Sequence, residues 1–117
     1  MEVQVFGVRN HADVRKALRF FAERRVQTHF VDFKVRGPAP GELTRFAGKF
    51  GVAALIDRRS RRFVELGLGP ALYGDAKWLD VLVAEPMLLT LPLVRCGNKL
   101  TVGLSEAVWA QWIAGDT

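Results

Sequence analysis

Sulfur and imidazole are scarce in this chain. A single cysteine, Cys96, stands among 117 residues. That excludes an internal disulfide and any zinc site built from several thiolates. The two histidines, His11 and His29, share no metal-ligand spacing with Cys96, so no metal is expected. No apolar run approaches the ~20 residues that a membrane-crossing helix needs. The opening Met1-Glu2-Val3-Gln4-Val5 lacks the basic-then-apolar layout of a secretory signal. No glycine-rich phosphate loop, nucleophile elbow or Walker-type segment is present. These absences point to a cytoplasmic protein with no membrane partner. What is present is ordinary for a globular chain: half the residues are apolar and a quarter are charged. The length fits one domain over residues 1–117.

Charge is unevenly placed. Residues 1–62 hold fourteen Lys/Arg against six Asp/Glu, and residues 63–117 hold three against six. The densest cluster is Arg58, Arg59, Arg61 and Arg62 around Ser60. Such a half can attract an acidic protein surface or nucleic acid through its field. It also fits a solvated face that keeps the chain soluble. Aromatic residues do not interleave with the cluster apart from Phe63 at its edge, which disfavours single-stranded nucleic acid. Four adjacent arginines cannot all be buried. They are therefore expected to be exposed and mostly unpaired, a candidate partner-binding surface.

The apolar period places the elements. Val3 and Val5 alternate with Glu2 and Gln4, a short strand ending at Phe6. From His11 the period becomes helical: Val14, Ala17, Leu18, Phe21 and Ala22 share one face, with Asn10 as the expected N-cap. Thr28–Phe33 reads as a second strand. After the loop Gly37–Gly41, the residues Leu43, Phe46, Ala47 and Phe50 give a second helix, stopped at Gly51. Val52–Ile56 reads as an apolar turn and 66–70 as a breaker. Ala76–Ala84 is a third helix, ended by Pro86. Leu91–Arg95 is a strand entered through Pro92. Gly97-Asn98 signals a hairpin into Lys99–Val102. Ser105 is placed to cap a last helix, held down by Val108, Trp109, Trp112 and Ile113. An opening β-α-β unit followed by a β-hairpin and a closing helix is the thioredoxin topology. The expected fold is thus α/β, a mixed four-stranded sheet with a helical insertion at about 41–85.

Several segments resemble one family. Phe6-Gly7-Val8-Arg9-Asn10-His11, followed by Arg15-Lys16-Ala17, looks like the opening of ArsC-type arsenate reductases and their Spx and YffB relatives. There the strand runs into Asn-Cys and a helix with a basic pair before Ala. Glu65-Leu66-Gly67 is similar to the family's Glu-Leu-Gly. The stretch from Glu85-Pro86 to Leu91-Pro92-Leu93-Val94 resembles its second proline-bearing segment, and Gly97-Asn98-Lys99 its Gly-x-Lys hairpin. The resemblance spans roughly residues 2–113. It implies a thioredoxin fold with a cis peptide bond at Leu91-Pro92. The site would lie at Asn10, His11, Arg15, Lys16 and Pro92.

At the family's nucleophilic cysteine this chain has His11. A cysteine there is activated because the helix N-terminus stabilises thiolate; imidazole forms neither a disulfide nor a thiol–arsenate adduct. By the same alignment the family's oxyanion arginines face Asp57 or Arg58, Leu91 and Gly103. The site is therefore read as degenerate, with no catalytic residue. His11 is either a remnant of a lost site or an anion-binding group. Asp13 and Asp57 read as a helix-start charge and an arginine partner. The expected function is a redox-inactive adaptor without a cofactor. Its partner would be a protein, and the Spx relatives point to transcription machinery. The competing expectation is a divergent reductase that uses glutathione, with His11 orienting substrate and Arg15 or Lys16 holding its charge. Direct DNA binding through the arginines is the third.

Overall fold

Strand β1 (Glu2–Gly7) forms where the period of two was read, with Val3 and Val5 fully buried. The computed structural model describes residues 1–116. Helix α1 (Ala12–Glu23) follows, burying Val14, Ala17, Phe20 and Phe21 on one stripe. Its N-cap is His11 rather than Asn10: the imidazole Nδ1 accepts from Val14 N at 3.4 Å, while Asn10 is exposed in the preceding turn. Past the C-cap Arg24 the chain turns at Arg25, whose φ of +56° is left-handed. There Arg25 N donates to Ala22 O and Val26 N to Phe21 O, a Schellman closure without its usual glycine.

Strand β2 (Gln27–Asp32) begins one residue earlier than expected and pairs parallel with β1, Val5 opposite Phe30. Strand β3 (Leu93–Cys96) pairs antiparallel with β1, and β4 (Lys99–Val102) antiparallel with β3. The sheet order is β2-β1-β3-β4, the expected mixed sheet of thioredoxin type. β3 starts at Leu93, not Leu91, because Pro92 has no N–H to give the ladder; the Leu91-Pro92 bond is cis. In the hairpin only Gly97 has positive φ, +61°, the II′ arrangement with glycine first.

The closing helix of this unit (Glu106–Gly115) buries Trp109 and Trp112, while Val108 turns outward, contrary to expectation. Ser105 sits at its N-cap position but gives the helix no side-chain bond; its hydroxyl donates to Gly103 O. Val3, Val5, Ala17, Phe20, Phe21, Val94, Trp109 and Trp112 form one core. Phe20 and Phe21 lie 5.5 and 5.1 Å from Trp109 between ring centroids. The buried indole N–H donates to Thr101 Oγ1 at 2.8 Å, so neither polar atom is left unmatched.

Residues 1–36 and those from Leu91 onward make this compact unit; Gly37–Thr90 make a second. In the second, α2 (Pro40–Phe50) buries Leu43 and Phe46. The four-residue helix α3 (Val52–Leu55) replaces the expected turn, and α4 (Arg61–Glu65) is capped by Ser60 Oγ accepting from Phe63 N. Helix α5 (Asp75–Ala84) buries Trp78 and Leu82 and leads into a 3₁₀ turn at Pro86–Leu88. The helical segment expected at about 41–85 is thus helical from Pro40, in four helices and this turn.

Candidate functional site

Strand β1 aims the chain at α1. Gly7 is buried at its end, and a Cβ built there would lie 2.5 Å from Val14 Cγ2. This closeness lets α1 sit directly on the strand that feeds it. The linking turn closes with His11 N donating to Val8 O at 3.2 Å. His11 is half-buried. Its Nδ1 is used as the cap acceptor, so one orphan N–H of the helix N-terminus meets an imidazole nitrogen.

The other expected residues fall around this turn unequally. Arg15 reaches back and donates from Nη1 to Arg9 O at 3.1 Å, bracing the loop. Lys16 lies 3.8 Å from Asp13 in an exposed i,i+3 pair. Asn10 is exposed. Pro92 is buried, and its carbonyl accepts from Gly103 N at 2.9 Å. Phe6 pairs with Leu93. One further step of that register sets Pro92 beside Gly7, at the strand end from which the His11 turn departs. The cis proline and the α1 N-terminus therefore share one end of the sheet.

Cys96 lies at the other end. Gln4 pairs with Arg95, so Cys96 falls beside Val3. That is four residues along β1 from Gly7, about 13 Å at ~3.3 Å per residue. The thiol is half-buried against the aromatic core. Among the described residues no group of His, Cys, Asp and Glu could hold a metal ion, and no helix is long and apolar enough to cross a membrane.

The arginine cluster divides. The Arg58 guanidinium lies 5.4 Å from the centroid of Phe63 and 6.0 Å from that of Trp78, whose rings stack at 6.4 Å. Tyr73 meets the same Trp78 edge-on at 5.0 Å. Arg59 N donates to Asp57 Oδ1 at 3.0 Å, so Asp57 serves the turn's backbone, and the Arg59 side chain is exposed. Arg61 is 92% exposed, with only a 3.6 Å contact to Glu65.

Arg62 departs from the expected unpaired state. Its Nε and Nη2 donate to the two oxygens of Glu85, both at 2.9 Å, and Glu65 stands 3.7 Å away. These bonds hold the Glu85 carboxyl below its ordinary range, partly opposed by desolvation, and raise the Arg62 guanidinium further. Next to the three freer arginines the chain exposes large apolar side chains within one short stretch. Leu72 is 98% exposed and Val64 70%, with Leu66 and Tyr73 also open. Sequence reasoning missed this apolar component: Leu66 was placed only in the 66–70 breaker, and the exposure of single apolar residues in a short irregular stretch is set by tertiary packing rather than by spacing.

The model of the ArsC family matches residues 6–112. An uncharacterized protein of Haemophilus influenzae is 28% identical over 105 residues, covering 89% of this chain and 92% of that protein. A solved YffB protein superposes with a TM-score of 0.87 at 23% identity, over 93% of this chain and 96% of the other. An arsenate reductase from Vibrio cholerae gives 0.81 at 19% identity, over 95% and 97%. At such identities the structural likeness establishes the thioredoxin-like fold, and the family match extends from the end of β1 into the closing helix. The chain belongs to the ArsC family.

Proposed function

We propose that this chain is a redox-inactive ArsC-family protein that binds a protein partner, with His11 in the place of the nucleophilic cysteine. The observation that carries this reading is the make-up of the α1 N-terminus. The group there is an imidazole whose Nδ1 lone pair caps the helix, and the chain's one thiol is at the opposite end of β3. An ArsC-type cycle needs a thiolate where the helix dipole can stabilise it, and Cys96 has no such surroundings. Leu91 and Gly103 add no positive charge where the resemblance places the family's oxyanion arginines.

Binding is favoured by the exposure, within residues 58–73, of Arg58, Arg59 and Arg61 together with Val64, Leu72 and Tyr73. Apolar side chains held in water among cations suit an acidic, partly apolar protein surface. They suit nucleic acid less, because Leu72 and Val64 would gain nothing from a phosphate backbone. An adaptor acting on transcription machinery is the form suggested by the likeness to Spx proteins.

Arg59→Glu/Arg61→Glu tests this. Both side chains are exposed, so the melting temperature should stay nearly unchanged. Capture of the partner in a pull-down should weaken, mostly through the on-rate and most visibly at low salt. Unaltered capture, or salt-sensitive retention on DNA in place of a protein, would refute the reading. Arsenate-dependent oxidation of glutathione by the purified chain would favour the divergent reductase instead.

A further inference from the structure

Strand β2 is the edge of the sheet on its own side: it pairs with β1 and with no other strand. Natural edges are commonly blunted by proline, lysine, a bulge or a covering segment. Gln27–Asp32 holds no proline and no lysine, and its register with β1 runs unbroken over six pairs. Among the described residues, no other segment bonds to the backbone of Thr28–Val31. A row of backbone donors and acceptors therefore faces outward.

A groove of about 310 Å³ runs beside this edge, lined by Arg9, His29, Phe30, Asp32, Val35 and Arg36. Its charge is one-sided. Asp32 is the only carboxylate, and its Oδ1 already accepts from Lys34 N at 2.9 Å. Arg9 lies 4.6 Å over the Phe30 ring, with its backbone carbonyl braced by Arg15. Arg36 and Lys34 are exposed at the far end, and Arg24 and Arg25 flank the near end. Val35 is 85% exposed and offers an apolar foothold between the cations.

We infer that the β2 edge is a docking site for an extended acidic peptide, which adds as a fifth strand and sets its carboxylates on Arg9 and Arg36. Backbone pairing supplies the register, and the alternate side chains of the added strand face the groove. The flanking cations disfavour a second copy of this chain on the same edge, because two such edges would bring like charges together. This inference goes beyond the proposed function. It concerns residues 9 and 27–36, not 58–73, and holds whether or not His11 is catalytically inert.

The test is selection of random linear peptides on the whole protein, followed by fluorescence anisotropy with the selected sequences. The selected peptides should alternate Asp or Glu with apolar residues. Arg36→Glu should weaken their binding about tenfold, and Arg9→Glu/Arg36→Glu more. N-methylation of alternate peptide nitrogens should abolish binding in one phase of the alternation and spare it in the other, which simple charge attraction would not do. Amide hydrogen exchange should slow in residues 27–32 on binding. Arg36→Glu keeps the test valid if the double variant misfolds, since Arg36 is an exposed loop residue. Failure to select any peptide would overturn the inference, as would neutral or basic winners, protection confined to residues 58–73, or dimerisation of the free protein through β2. Loss of capture in Arg59→Glu/Arg61→Glu with peptide binding intact would separate the two surfaces.

Discussion

Gly7 illustrates how much of the His11 turn rests on one missing methyl group. A Cβ at Gly7 would meet Val14 Cγ2 at 2.5 Å, and Val14 is fully buried and β-branched, so it has no free rotamer to turn into. Gly7→Ala should cost about 1–3 kcal/mol, the range for overpacking, read as a lower urea midpoint with an unchanged slope. Glu85 carries the second prediction. Its carboxyl is held below the ordinary range by Arg62, so its contribution is present above the unfolded pKa and lost as pH falls through the folded one. Glu85→Gln should therefore lower stability at neutral pH, and the difference should shrink as pH falls below the ordinary carboxylate range. A constant gap between the two denaturation curves from neutral pH down through that range would mean the ion pair is not the cause. Neither feature could be read from the chain. Arg62 and Glu85 lie 23 residues apart, and spacing carries no information about contact at that separation.

Helix α1 is the element that the sequence described best and whose ends it described worst. Its stripe of Val14, Ala17 and Phe21 is strongly periodic, and burial followed the period. The N-cap moved from Asn10 to His11 because cap identity depends on which side chain reaches the orphan N–H at N3, a matter of one residue of register. At the other end Arg25 occupies a left-handed position that favours glycine. Arg25→Gly should stabilise the protein by about 0.5–1 kcal/mol: it relieves a backbone strain of about 1–2 kcal/mol and loses part of that to unfolded-state entropy. Thermal unfolding checks the sign, and a drop would show that the arginine side chain contributes more than its backbone costs.

Helices α3 and α4 escaped the sequence for a different reason. Four or five residues make too little of a turn for an apolar period to show, and α4 buries only Phe63. Its one local signal was Ser60, which was read as part of a charge cluster when it is the N-cap. Strand β3 lost its first two expected residues to Pro92, which cannot donate to a ladder. The strand order, the crossover and the hairpin were legible because each rests on a change of period or a turn residue several positions long.

The whole molecule keeps the family's fold, and the proposed function turns on one position of it, His11. The sheet order and the cis bond at Leu91-Pro92 match the thioredoxin type, and the family match reaches residue 112. Resemblance alone named His11 and Pro92, and the register brings their two segments to one end of the sheet. The sequence was not legible where folding had to bring segments together, as at Arg9 over Phe30 or Arg58 over Phe63 and Trp78. What separates a binding protein from a reductase is whether the α1 N-terminus can support thiol chemistry. Glutathione-dependent reduction of arsenate, followed through NADPH and glutathione reductase, should therefore be compared for the native chain, His11→Ala and His11→Cys. All three should remain at the protein-free rate, although His11→Cys should gain a thiol that alkylates faster than Cys96, because it acquires the helix N-terminus. Turnover by the native chain that disappears in His11→Ala would contradict the redox-inactive reading and make His11 part of a working enzyme.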